Sequence, residues 1–123
     1  MARHVPASEF AVVKGWFKDT LPQIDPAARF AMVHIDGDLY ESAIDVLFNL
    51  LQRKLISPGA AIYFDDWDCN AADPELGERR AWREAVDKFA IRYSDLGTYG
   101  MSCRRFIVHS YGGDGLSRAS PTR

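Results

Sequence analysis

Four aspartates that follow predicted β-strands are the residues of this sequence whose type and spacing suit chemistry. Asp36 and Asp38 come directly after one apolar run. Asp65 and Asp66 close a second one. Ligands of open α/β sheets bind at the carboxyl ends of the strands, so two parallel neighbours would bring these carboxylates close together. Close carboxylates repel and raise each other's pKa values unless a cation compensates. Mg²⁺ accepts such hard oxygen ligands, and no cluster of Cys and His in the sequence suggests zinc instead.

These aspartates also have plainer structural interpretations. Asp38 stands three residues before Glu41, which resembles a capping box for the helix that follows. The pair Asp65 and Asp66 would also serve to solvate a strand end or to cap a turn. His34 lies inside an apolar strand, which favours a hydrogen-bonded core histidine over a ligand or a base. Two acidic groups at equivalent ends of one crossover unit nevertheless shift the balance towards a site.

The unit that must position the aspartates is a strand, a helix and a strand over residues 30–66. Phe30 to Ile35 is apolar almost throughout, which is typical of a strand buried on both faces of a parallel sheet. From Glu41 to Leu55, apolar residues recur at three- and four-residue steps and predict an amphipathic helix. Ser57-Pro58-Gly59 is predicted to end this crossover, and Ala60 to Phe64 is predicted to form the second strand.

The other predicted elements flank this unit. Phe10 to Lys14 is short and rich in β-branched residues, which predicts a further strand. A polar loop separates the crossover from a second amphipathic helix, predicted from about Glu78 to Tyr93. Arg104 to His109 predicts a final strand. Residues 112–123 are rich in Gly, Ser and Arg, and they are predicted to be a disordered tail.

Composition and charge exclude several classes of protein. The chain has 123 residues, enough for one domain, and its apolar content of 47% is normal for a globular protein. A formal net charge of -2, with basic and acidic residues interleaved, gives no electrostatic footprint for nucleic acid. The apolar runs are too short for a membrane span and no signal-peptide core is visible, so the expected location is the cytoplasm. Cys69 and Cys103 are expected to be reduced thiols.

Several separated motifs, in a fixed order, give the sequence a family resemblance. The first is Lys14 to Pro22 (KGWFKDTLP), and the second is His34 to Ser42 (HIDGDLYES). The third combines Ser57-Pro58-Gly59 with the Asp65-Asp66 pair. Together they resemble the macrocin O-methyltransferase family over about residues 12–108. Members of that family are class I, S-adenosylmethionine-dependent enzymes that methylate sugar hydroxyls in antibiotic biosynthesis, with Mg²⁺ assisting.

The resemblance implies a role for each aspartate and a set of ligands. Asp36, Asp65 and Asp66 correspond to the metal ligands of the family. Asp38 corresponds to the general base that deprotonates the sugar hydroxyl. The implied ligands are Mg²⁺, S-adenosylmethionine as the methyl donor and a small-molecule glycoside as the acceptor. The residues that we expect to contact the acceptor are Tyr40 and Trp67.

The resemblance also implies a fold, an α/β domain with a partial Rossmann-like, class I methyltransferase sheet. This sheet is expected to be mostly parallel with an antiparallel last strand. Residues 1–111 correspond to the C-terminal half of the family domain, without its first two strands and its glycine-rich turn. We therefore expect the metal and acceptor site of a truncated or split O-methyltransferase, with a separate donor-binding half or a second copy as partner. The alternatives are a non-catalytic remnant that serves as an oligomerising or binding module and, last in rank, another metal-assisted activity such as hydrolysis.

Overall fold

A computed structural model describes residues 6–37 and 39–112, which form both helices and strands. The strands are β1 (Phe30–Ile35), β2 (Ile56–Phe64), β3 (Arg92–Tyr99) and β4 (Cys103–Ser110). The α-helices are α1 (Phe17–Thr20), α2 (Tyr40–Gln52) and α3 (Gly77–Phe89). Short 3₁₀ helices lie at Ala7–Glu9 and Leu21–Gln23.

The strands form one mixed sheet in the order β1-β2-β4-β3. β1 and β2 are parallel and are connected by α2, as predicted. β4 runs antiparallel to β2 and to β3, so the predicted antiparallel last strand is confirmed. The prediction of a mostly parallel sheet is wrong for the described strands, because a short turn joins β3 to β4 and such turns connect antiparallel neighbours. The α/β class is confirmed, and the Rossmann-like assignment stays a prediction.

One hydrophobic core joins the sheet to α2 and α3. The predicted apolar stripes of both helices face it, with Leu47 and Ala85 fully buried. The ring of Phe106 on β4 lies at its centre. This ring stacks on Trp82 of α3 with 4.8 Å between centroids, and it lies 5.2 Å from the ring of Trp67. The core therefore fastens α3, and the loop before it, to the antiparallel side of the sheet.

Two predictions about the first part of the chain are wrong. Residues 10–14 form no strand and join no strand of the described sheet. Val12 is 84% exposed, because a segment that does not pair with the sheet buries little surface. β1 is a strand as predicted, but it lies at the sheet edge. Of its six residues only Ile35 is buried, so the predicted burial on both faces is wrong. Met32 on β1 is 61% exposed.

The crossover elements have the predicted types but different ends. α2 ends at Gln52, within the predicted helix that runs to Leu55. Ser57-Pro58-Gly59 lies inside β2 instead of forming a turn before it. The register between β1 and β2 is interrupted there. Such an irregularity accommodates a proline, and Gly59 adopts a positive φ of 90°.

β3 is the strand that the sequence did not predict. The predicted helix to Tyr93 stops at Phe89, because Ala90 adopts a left-handed conformation (φ 51°) whose N–H caps the carbonyl of Val86. Tyr93 belongs to β3 instead. Gly97, with φ 86°, lies where the pairing of β3 with β4 is irregular.

Two further predictions concern the C-terminal tail and the absence of a membrane span. Of residues 112–123, all but Gly112 lie outside the described residues. The Gly112 N–H donates to the Phe89 carbonyl at 2.7 Å. In residues 6–37 and 39–112, no helix combines the length and the apolar character needed to cross a membrane.

Candidate metal centre

The parallel pairing of β1 and β2 brings three of the four predicted aspartates together. Ile35 lies opposite Phe64. One residue further on, the N–H of Asp65 donates to the carbonyl of Ile35 at 2.9 Å, which places Asp36 and Asp65 at the same end of the sheet. Carboxylate oxygens of Asp36, Asp65 and Asp66, one from each, all lie within 4.8 Å of one another. The predicted proximity is observed, and the role of these residues as ligands stays a prediction.

The donor set of this cluster suits a hard divalent cation. All three donors are carboxylate oxygens, which Mg²⁺ prefers over nitrogen and sulfur ligands. Asp36 is exposed, while Asp65 and Asp66 are partly buried. A cation held here would therefore keep an open side for water or for oxygens of a substrate. By their chemistry, the three residues fit Mg²⁺.

Side chains from β1, from β4 and from Ser102, just before β4, hold Asp65. Its Oδ1 lies 3.3 Å from Nε2 of His34 and 3.5 Å from Sγ of Cys103. Its carbonyl accepts hydrogen bonds from the Ser102 hydroxyl at 3.1 Å and from the Cys103 thiol at 3.2 Å. Burial, together with the hydrogen bond to Asp65, raises the pKa of the Cys103 thiol. Cys103 therefore remains protonated at neutral pH and acts as a donor to Asp65.

His34 is not the core histidine that the apolar strand predicted. Its side chain is 48% exposed, because β1 is an edge strand. The predicted hydrogen bond exists, but it is made to Asp65 in the acidic cluster. Side chains two residues apart on a strand share a face, so the spacing of His34 and Asp36 is the sequence signal that would have linked them.

A buried glutamate that the sequence did not single out supports Asp66. Glu78, in the first turn of α3, is 1% exposed, and its Oε1 accepts the N–H of Asp66 at 2.9 Å. Burial raises the pKa of Glu78 to about 7; the charges of Asp66 and Asp36 add to this rise, and backbone hydrogen bonding from Asp66 and Gly37 opposes it. Its position one helical turn before Trp82 places it on the apolar stripe of the predicted helix, where a charged residue is unusual.

The side chain of Tyr40 contacts two residues of α3. Tyr40 is the first residue of α2, and its hydroxyl donates to Oε1 of Glu84. The guanidinium of Arg80 lies 4.1 Å from the centre of its ring. The hydrogen bond to Glu84 is the main cause that raises the pKa of Tyr40. Contact between Tyr40 and an acceptor stays a prediction.

Trp67 directly follows the aspartate pair, but its ring belongs to the core. The residue is 7% exposed, and its ring lies 5.1 Å from that of Phe64. The guanidinium of Arg79 lies 5.3 Å from the ring and also pairs with Asp68 at 3.1 Å. This packing leaves little ring surface for a ligand, and the predicted contact of Trp67 with an acceptor stays a prediction.

The predicted base, Asp38, lies outside the described residues, so its role stays a prediction. The N-cap position of α2 belongs to Leu39, one residue later than the capping box with Glu41 requires. Before it, the backbone of Gly37 passes close to α2. A Cβ at this glycine would lie 2.9 Å from Cβ of Ser42, closer than packed carbon atoms approach.

A mainly apolar cavity opens beside Asp36, along the unpaired edge of β1. Its volume is about 260 Å³. Residues of α1, the following 3₁₀ helix, β1 and α2 line it, and they include Phe17, Leu21, Ile24, Phe30, Val33 and Leu50. One member of the acidic cluster, Asp36, therefore borders an apolar space.

An α/β sheet whose parallel strands end in a carboxylate cluster is compatible with part of a methyltransferase-like domain. Comparison with known families identifies one family. A family model described as Macrocin-O-methyltransferase (TylF) matches residues 7–90. The chain belongs to this family, which confirms the resemblance found in its motifs.

Curated relatives of the chain are also O-methyltransferases. It is 43% identical over 79 residues to the 8-demethyl-8-(2,3-dimethoxy-alpha-L-rhamnosyl)-tetracenomycin-C 4'-O-methyltransferase of Streptomyces olivaceus, covering 64% of this chain and 25% of the relative. It is 40% identical over 75 residues to the demethyldecarbamoylnovobiocin O-methyltransferase of Streptomyces niveus, covering 60% and 28%. It is 39% identical over 85 residues to the mycinamicin III 3''-O-methyltransferase of Micromonospora griseorubida, covering 69% and 32%. The matches thus span a quarter to a third of these relatives.

Proposed function

We propose that this chain carries the metal and acceptor side of an S-adenosylmethionine-dependent O-methyltransferase that acts on a sugar hydroxyl of a natural product. The observation that carries the proposal is the convergence of Asp36, Asp65 and Asp66 within 4.8 Å, in a chain of the macrocin O-methyltransferase family. The name of the Streptomyces olivaceus relative specifies a rhamnosyl substrate, which supports a sugar as the acceptor.

The reaction explains why such a site needs clustered carboxylates. A neutral hydroxyl is a poor nucleophile towards a sulfonium methyl group, so it must lose its proton and be aligned with the donor. Asp36, Asp65 and Asp66 would hold Mg²⁺, which would supply the Lewis-acid chemistry that makes an acceptor hydroxyl more acidic. A carboxylate within hydrogen-bond reach then accepts the proton. By its place in the family motif, Asp38 is the residue proposed for that step.

The surroundings of the cluster support this division of roles. Asp65 is held by His34 on one side and by Cys103 on the other. Its direction is therefore set before any ligand arrives, which reduces the reorganisation that binding requires. The open side at Asp36 leaves room for an acceptor.

Calorimetric titration of Mg²⁺ into the full chain tests the metal site. We expect saturable binding by the wild type and at least about tenfold weaker binding by Asp65→Asn, since a removed ligand weakens a site by no less than a removed supporting residue. Asp87→Asn, an exposed change of the same chemistry on α3, is the matched control and should bind as the wild type does. Equal and negligible binding by wild type and Asp65→Asn would remove the basis of the proposal.

We also propose that the donor is bound by a separate polypeptide half that packs beside β1. Two observations support this partner: no strand of the described residues pairs with the outer edge of β1, and Val12 and Met32 are exposed. An exposed apolar edge favours association with another strand. Titration with S-adenosylmethionine tests the proposal, and micromolar affinity of the chain alone would contradict it.

The same edge favours a second candidate function, a non-catalytic module that associates through β1. Light scattering separates the two candidates. A homodimer that binds neither Mg²⁺ nor the donor would support the module. A monomer that binds Mg²⁺ would support the methyltransferase half and exclude a self-association role for the edge of β1 at the concentration measured.

A further inference from the structure

We infer that Glu78 is a positioning residue of the metal centre, because it holds the backbone of Asp66 from the first turn of α3. The inference rests on the proposed metal site and adds a residue that none of the family motifs in this sequence contains. Glu78 is not a member of the carboxylate cluster formed by Asp36, Asp65 and Asp66. Its contribution is to orient Asp66, one of the three proposed metal ligands.

The need for such a residue follows from where the β-ladder stops. Asp65 is fixed by the sheet, because its N–H donates to Ile35 and its carbonyl accepts hydrogen bonds from Ser102 and Cys103. Asp66 is one residue further on, and its N–H donates to Oε1 of Glu78 at 2.9 Å. The two neighbouring ligands are thus held by different parts of the fold. The sheet and Ser102 hold Asp65, whereas α3 holds the N–H of Asp66 and Cys69 contacts the Asp66 carbonyl and carboxylate.

The next residue of α3, Arg79, contacts the two residues that follow Asp66. Arg79 pairs with Asp68 at 3.1 Å, and its guanidinium lies 5.3 Å from the centre of the Trp67 ring. Glu78 and Arg79 together, which we call the α3 clamp, therefore hold three consecutive residues, 66 to 68. A clamp on consecutive residues restrains the direction of the chain as well as its position, so the Asp66 carboxylate is aimed at the cluster.

Because the contact is buried, only a side chain as long as glutamate is expected to place an acceptor at the N–H of Asp66. Glu78 is 1% exposed, so the acceptor that it offers to the N–H of Asp66 lies away from solvent. An unsatisfied buried N–H is unfavourable, and the backbone at Asp66 would move to find another acceptor. Removal of residues that orient metal ligands typically weakens metal affinity by about 10-fold to 100-fold.

Calorimetry with Mg²⁺ on the full chain at pH 7 tests the inference with three variants of one residue. Glu78→Gln keeps an oxygen at the same reach, and we expect its Mg²⁺ affinity within about threefold of the wild type. Glu78→Asp keeps the charge but is one methylene shorter, and Glu78→Ala removes the acceptor; both are expected to bind about 10-fold to 100-fold more weakly. The Mg²⁺ affinities of the three variants should therefore follow the length of the side chain at position 78 and not its charge.

A control variant separates positioning from stability. Val108→Ala opens the core further along β4, so it should lower the thermal midpoint while leaving Mg²⁺ affinity unchanged. Amide hydrogen exchange at Asp66 without metal gives a second readout: protection should persist in Glu78→Gln and fall in Glu78→Asp. If Glu78→Ala does not fold, Glu78→Asp and this exchange measurement still decide the matter.

The possible results are distinguishable. Wild-type affinity in Glu78→Asp and Glu78→Ala, with binding lost in Asp65→Asn, would overturn the role of Glu78 and leave the metal site standing. An affinity that falls in Glu78→Gln as far as in Glu78→Asp would overturn the role of reach. Absence of saturable Mg²⁺ binding by the wild type would instead refute the proposed function, and the inference with it.

Discussion

Replacement of Glu78 by Gln should change how the stability of the metal-free protein depends on pH. Burial first, and then the charges of Asp66 and Asp36, raise the pKa of Glu78 from 4.5 to about 7. The folded state therefore holds this proton more tightly than the unfolded chain does. Stability from the protonated carboxyl is fully present below pH 4.5 and is lost as the pH rises towards 7. A Gln at position 78 stays neutral and still offers an oxygen to the N–H of Asp66.

The size of the effect follows from the shift. Each pKa unit corresponds to about 1.4 kcal/mol. A rise from 4.5 to about 7 therefore amounts to about 3 kcal/mol, which is large beside the roughly 5–15 kcal/mol that stabilises a typical domain. We expect Glu78→Gln and wild type to differ little near pH 4. Near pH 8, the free energy of unfolding of the variant should exceed that of the wild type by about 3 kcal/mol.

Urea unfolding with a chelator present, followed by tryptophan fluorescence at several pH values, measures this difference. Glu75→Gln is the matched control, because Glu75 is exposed and its hydrogen bond with Arg83 lowers its pKa. Relative to the wild type, the stability of Glu75→Gln should fall as the pH rises to about 4.5 and stay level above it, so it should show no gain between pH 5 and pH 8. A difference between Glu78→Gln and wild type that stays constant from pH 4 to pH 8 would refute the reasoning, because it would mean that the buried carboxyl ionises as readily as in the unfolded chain.

Three further substitutions test the packing around the site. Phe106→Ala removes the ring at the centre of the core and should lower the free energy of unfolding by about 3–5 kcal/mol in urea; a loss below 1 kcal/mol would contradict its central place. Tyr111→Phe deletes a hydroxyl that donates to the Ile56 carbonyl at 2.7 Å and accepts its N–H at 3.2 Å, so a loss of about 1–3 kcal/mol is expected, and an unchanged urea midpoint would show that water replaces both bonds. Gly37→Ala forces the backbone away from Ser42 and should weaken Mg²⁺ binding in calorimetry, whereas unchanged affinity would mean that the loop adapts without moving Asp36.

The parts of the fold that the sequence predicted are those whose signal is local. The stripe from Glu41 onwards gave α2, because helix periodicity needs no knowledge of the rest of the chain. The convergence of Asp36 and Asp65 followed from a general rule, that parallel strands bring their carboxyl ends to one edge. The role of these residues as ligands stays a prediction.

The parts that the sequence did not predict depend on distant neighbours. Val33 and its apolar neighbours on β1 are compatible with a central strand, and only the sheet order shows that β1 is an edge. The exposure of His34 follows from that position. β3 was missed because the helical stripe continues to Tyr93 and only the left-handed Ala90 ends the helix. The environment of Glu78 depends on the packing of α3 against Asp66, which no motif encodes.

The connections within the sheet also bear on how the protein folds. Residues 100–102 join β3 to β4, so this pair closes a short loop. Asp36 and Asp65, by contrast, meet only after the chain has crossed over through α2. Short loops close at a smaller entropic cost than long ones, so we expect the hairpin to form early and the acidic cluster to assemble after the folding barrier has been passed. A cation that binds only the assembled cluster will then slow unfolding and leave the folding rate nearly unchanged.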